Sequence, residues 1–80
     1  MESEAWEGPV QTIEAIRHMC DEAGMTTVQV SEALGKSRAY VGATLSRGSV
    51  PKADTLSQIA RACGYTLVLE GRGERIEIEP

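Results

Sequence analysis

Gly24-Met25-Thr26-Thr27-Val28-Gln29-Val30-Ser31-Glu32-Ala33-Leu34-Gly35-Lys36-Ser37-Arg38-Ala39-Tyr40-Val41 is the stretch that decides the fold. Thr26 and Gln29 stand at the spacing of a reciprocal helix cap, with Met25 as the apolar residue before it. The helix they open should carry Val30, Ala33 and Leu34 inward and stop at Gly35, where a tight turn needs positive φ. Ser37 is placed to cap a further helix holding Tyr40, Val41, Thr44 and Leu45, ending at Gly48. Two short helices joined in this way have no core of their own, so other helices must lie behind them. The glycine turn sets them at a steep angle and lets the second project from the surface.

The flanking sequence supplies those helices. Upstream, Gly8-Pro9 is punctuation, with Pro9 suited to a first helical turn. Val10, Ile13, Ile16, Cys20 and Ala23 then repeat at helical steps up to Gly24. Downstream, Ser49-Val50-Pro51-Lys52 leads into a helix with Asp54 in its first turn and Leu56, Ile59, Ala60 and Cys63 on its buried face, closed by Gly64. The period then becomes alternating. Residues 66–70 and 75–79 flank Gly71-Arg72-Gly73, the pattern of a β-hairpin with Leu67, Leu69, Ile76 and Ile78 on one face. Residues 1–8, acidic and containing Trp6, read as a flexible arm. The expected organisation is therefore an all-α bundle of four to five helices over residues 9–65, followed by a short C-terminal hairpin over residues 66–80 that is a candidate dimerisation element.

Composition narrows the function. Eighty residues make one small domain. Two cysteines and a single histidine are too few for a metal centre, and no constellation of acid, base and nucleophile stands out, so no catalytic residue, metal or cofactor is assigned. His18, beside Arg17 and Asp21, reads as part of a solvated helix face. Without a secretory pattern, Cys20 and Cys63 are expected as reduced thiols in a cytoplasmic protein. The net charge of −4 is unevenly spread. Both ends are rich in glutamate, whereas Lys36, Arg38, Arg47 and Lys52 lie in a span that has no acidic residue. A local basic surface suits phosphate, and its local sign matters more than the total.

The combination of Ala33-Leu34-Gly35, Ser37-Arg38 with Tyr40-Val41, then Gly48, Pro51 and Leu56 with Ile59-Ala60 resembles the lambda-repressor-like helix-turn-helix family, also called Cro/repressor or XRE-type regulators. The likeness runs from about Val10 to Gly64. It implies a recognition helix opened by Ser37, Arg38 and Ala39, with Gly42 and Ala43 one turn later on the same exposed side. Arg38, Ala39, Gly42 and Ala43 then become the base-reading positions. Arg38 suits a bidentate contact with guanine, a phosphate contact or a solvated helix start. Thr27 would face a phosphate, and Lys52 and Ala53 would present a helix N-terminus to the backbone. Lys36, Arg47 and Ser37 are further phosphate candidates, and Tyr40 suits either a phosphate or the core edge. Three departures stand out: Thr27 replaces the family's usual glutamine, the segment from Ser37 to Gly48 is one residue longer, and Gly42 and Ala43 are small.

The resemblance implies a sequence-specific double-stranded DNA-binding regulator, a repressor acting as a homodimer on an inverted repeat. A hairpin is marginal alone, so it must pack on the bundle or pair with another chain, and family members that dimerise through terminal β-structure point to the second. The alternative function is an antitoxin-like or adaptor protein whose main role is to bind a protein partner such as a toxin. The acidic total and the non-helical tail favour that alternative, and the acid-free span favours DNA.

Overall fold

The computed structural model describes residues 10–80. The arm at residues 1–8, with Trp6, and Pro9 lie outside the described residues. Among those described there are four helices and one hairpin, in the order α1 (Thr12–Ala23), α2 (Thr27–Ala33), α3 (Tyr40–Arg47), α4 (Ala53–Ala62), β1 (Leu67–Gly71) and β2 (Glu74–Ile78). No fifth helix occurs among them.

α1 starts at Thr12 behind Gln11, whose amide donates to Glu14 Oε1 at 3.2 Å. Val10 is thus outside the helix and exposed, not on its apolar stripe as expected. α2 opens as its sequence indicates. The Thr26 amide donates to Gln29 Oε1 at 2.8 Å, and the Gln29 amide donates to Thr26 Oγ1 at 3.1 Å. Its buried positions are Val30 and Ser31, with Leu34 packed at the edge. Ala33 is exposed, because the inward stripe runs through Thr27, Val30, Ser31 and Leu34 and leaves Ala33 on the other side of the helix.

All four helices feed one core. Ile16, Met19 and Cys20 come from α1, Val30 from α2, Val41 and Leu45 from α3, and Ile59 and Ala60 from α4, with Cys63 just beyond it. Cys20 and Cys63 are free and buried. Burial, and next the neighbouring Cys63, pushes the Cys20 thiol up to about 11; burial also raises Cys63. The pair therefore stays protonated and inert near neutrality. No helix among the described residues is long and apolar enough to cross a membrane.

The hairpin pairs Leu67 with Ile78, Val68 with Glu77, Leu69 with Ile76, Glu70 with Arg75 and Gly71 with Glu74. Leu67, Leu69, Ile76 and Ile78 therefore share a face, as the alternation indicates. The turn is two residues long, with Arg72 at φ 51 and Gly73 at φ 77, the left-handed pair that matches strand twist in a tight hairpin. β1 packs against α4, and Ser57 of α4 donates from Oγ to the Ile78 carbonyl at 2.8 Å. The inner residues Leu67 and Ile78 are half-buried, whereas Leu69 and Ile76 are 58% and 50% exposed.

Candidate nucleic-acid interface

Among the described residues, α2 and α3 share the most extensive contact of any two helices. Gly35, at φ 73, makes the turn between them, and its amide and that of Lys36 donate back to the Glu32 and Ser31 carbonyls at 3.0 Å each. These bonds satisfy the last carbonyls of α2 and reverse the chain within a few residues.

The start of α3 differs from expectation. Ser37 does not cap it. The helix begins at Tyr40 with Ala39 in the cap position, and alanine has no side-chain oxygen to offer. Residues 37–40 instead form a turn in which the Tyr40 amide donates to the Ser37 carbonyl at 3.0 Å. The cap comes from the preceding helix. Ser31, fully buried, accepts from the Val41 amide at 2.9 Å and donates to the Thr27 carbonyl at 2.8 Å. One hydroxyl thus fills both of its roles and fixes the start of α3 on α2. Sequence reading missed Ser31. The available signal was a serine at the i+4 step from Thr27 within an otherwise apolar stripe.

The candidate contact residues fall into two groups. Ser37, Arg38, Ala39, Lys36, Arg47 and Lys52 are exposed. Thr27, Tyr40, Gly42 and Ala43 are half-buried, so Gly42 and Ala43 are less open than expected. Gly42 is turned toward α2: a Cβ there would lie 3.4 Å from Thr27 Oγ1. The small residue therefore permits close helix approach at the departure noted for Thr27. Tyr40 packs against the core, and the Lys36 ammonium sits 5.5 Å from its ring centroid, a cation–π contact that holds the lysine over the turn.

The acid-free span gains an acid in space. Arg38 Nε lies 3.6 Å from Glu32 Oε2, with both side chains largely exposed. The bond is weak and readily exchanged for another anion. Glu32 was another residue that sequence reading missed, since the contact spans the turn. Lys52 occupies the cap position of α4 without a side-chain bond, and Asp54 follows in the first turn, accepting from the Thr55 amide at 2.9 Å. His18 is half-buried rather than fully solvated, in a shallow depression with Glu14, Arg17 and Asp21. No group of metal-ligating residues occurs among the described residues.

Two packed helices joined by a tight turn, with the Ser37-Arg38-Ala39 corner exposed, are the arrangement that major-groove readers use. The family model described as a helix-turn-helix domain matches residues 14–70. The chain belongs to this helix-turn-helix family. The match covers all of α2 through α4 and most of α1 and β1, and agrees with the lambda-repressor-like likeness of the sequence. No curated protein matches the chain. No solved structure matches it either. Membership in a helix-turn-helix family makes DNA the indicated ligand.

Proposed function

We propose that the protein is a cytoplasmic, sequence-specific double-stranded DNA-binding regulator, a repressor that acts as a homodimer on an inverted repeat. The observation that carries this reading is the exposed Ser37-Arg38-Ala39 corner at the start of α3, flanked by exposed Lys36, Arg47 and Lys52. Arg38 reads a base, and Ala39, Gly42 and Ala43 let the helix approach the groove closely. Lys36, Ser37, Arg47 and Lys52 contact phosphates, with Thr27 and Tyr40 at the margin. The net charge of −4 does not oppose this, because attraction and repulsion are screened beyond about 8 Å at physiological ionic strength. Glu32 adds selectivity: it holds Arg38 until a better partner arrives, and it repels phosphate when the helix is seated wrongly.

Selection of bound fragments from a genomic DNA pool tests the reading, and is expected to enrich one inverted repeat. On that repeat, Arg38→Ala should narrow the preference over random DNA by about 1–3 kcal/mol. Lys52→Ala should weaken both DNAs about equally and flatten the salt dependence. An unchanged ratio for Arg38→Ala removes the assignment of the reading residue. The acidic total and the exposed apolar Leu69 and Ile76 favour a second reading, an antitoxin-like or adaptor role toward a protein partner. Enrichment of no fragment at low salt would leave that reading in place.

A further inference from the structure

The free edge of β2 carries a self-complementary chemistry. The two-residue turn makes Gly71 and Glu74 a pair that exchanges both backbone hydrogen bonds. By alternation, Leu69 with Ile76 and Leu67 with Ile78 are the next bonded pairs. The amides and carbonyls of Arg75 and Glu77 therefore point away from β1, to the free edge of β2. β1 makes the main contact with α4, and β2 meets it at its inner end through the Ile78 carbonyl, whereas Arg75, Ile76 and Glu77 are all exposed. An edge of this kind is a template for another strand.

We propose that β2 pairs antiparallel with β2 of a second copy, about a two-fold axis at Ile76, to give a continuous four-stranded sheet; this rests on the homodimer proposed above and specifies how it forms. Charge selects the register. An axis at Arg75 would set that arginine against itself, and an axis at Glu77 would oppose two glutamates; like charges directly opposite are destabilising. The Glu79 that the axis at Glu77 would bring opposite Arg75 lies past the end of β2 and is paired with Arg61 of its own chain at 3.5 Å. The axis at Ile76 sets Arg75 against Glu77 of the second copy twice, and those are the residues whose backbone groups point outward. It also brings the two Ile76 side chains together as a close non-bonded pair, about 4.5 Å between Cα atoms. Leu69 and Ile76 of both copies, exposed at 58% and 50% in the single chain, then form one apolar strip. The outer edge of β1 has no such code, since its outward residues are Val68 and Glu70. Within its own hairpin Arg75 reaches Glu70 only at 4.0 Å, with both side chains exposed, so it is available to the second copy.

Sedimentation equilibrium without DNA tests the register, with circular dichroism checking that each variant folds. The wild type is expected to be dimeric at micromolar concentration. Arg75→Glu and Glu77→Arg should each weaken the dimer at least about tenfold, because each sets like charges opposite one another twice. An equimolar mixture of these two variants should form a heterodimer, since each then offers what the other lacks. The double variant R75E/E77R should recover self-association. Single variants as dimeric as the wild type would overturn the β2 pairing and leave the homodimer standing on another surface. Weakened single variants whose mixture stays monomeric would overturn the register at Ile76. A wild type that is monomeric both alone and on its DNA would remove the homodimer itself, and the pairing with it.

Discussion

The α2–α3 unit and the C-terminal hairpin are each tied down by one fully buried serine, and the two ties differ in kind. Ser31 both donates and accepts, and the amide it satisfies belongs to a buried helix start. Val41 and Leu45 of the same α3 reach the core. Ser57 makes one bond, to a carbonyl at the inner end of β2. Beyond it the strands rise into solvent, with Leu69 and Ile76 exposed. The helical unit is therefore part of the cooperative core, whereas the outer half of the hairpin opens at lower free-energy cost. The surface proposed to meet DNA is built on that core, and the surface proposed to meet a second copy is left to be completed by it.

The contrast can be broken most directly at Ser31. Ser31→Ala strands the Val41 amide away from water and should lower stability by about 1–3 kcal/mol in denaturant titrations. A loss close to zero would mean that α3 is held by packing alone. Gly35→Val should follow, at about 1–2 kcal/mol, because a β-branched residue must adopt the left-handed φ of 73. Nothing lies within 4 Å of a Cβ built there, so the loss would be conformational. DNA binding should change only in proportion to the fraction unfolded. Ser57→Ala should cost less, about 0.5–1.5 kcal/mol. Its signature should be faster hydrogen exchange in β1 and β2 while α2 and α3 are unaffected. If α2 and α3 amides speed up equally, the two regions form one cooperative unit and the contrast fails. The smallest effect is a gain. Arg72, at φ 51, is the only non-glycine residue with positive φ among those described. Arg72→Asn should stabilise the hairpin by about 0.5 kcal/mol, since asparagine tolerates that conformation better.

Local signals were readable in the sequence and distant ones were not. The Thr26–Gln29 cap, the turn at Gly35 and the hairpin face of Leu67, Leu69, Ile76 and Ile78 all follow from spacings of two to four residues or from simple alternation. The start of α3 does not. Its cap is ten residues upstream in another helix, and Ser37, the polar residue nearest the expected start, attracted the assignment. The Glu32–Arg38 pair was invisible for a similar reason: it exists only once the turn has brought the end of α2 beside the α3 corner. Val10 and Ala33 were misplaced because an apolar residue near a periodic run looks like a member of it, and only the real helix start excludes Val10 and the real helix phase Ala33. The base-reading roles of Arg38, Ala39, Gly42 and Ala43 rest on family likeness, since the fold fixes their exposure and not their ligand.

Ser31 also bears on how such a protein can change. The hydroxyl that starts α3 is carried by α2, so residues 37–39 contribute no side chain to helix initiation. Ser37, Arg38 and Ala39 are exposed as well. Substituting them alters which atoms are offered outward without withdrawing a bond that the fold needs. A lineage, or a designer, can therefore rewrite this corner one letter at a time at nearly constant stability, while the scaffold beneath it tolerates far less.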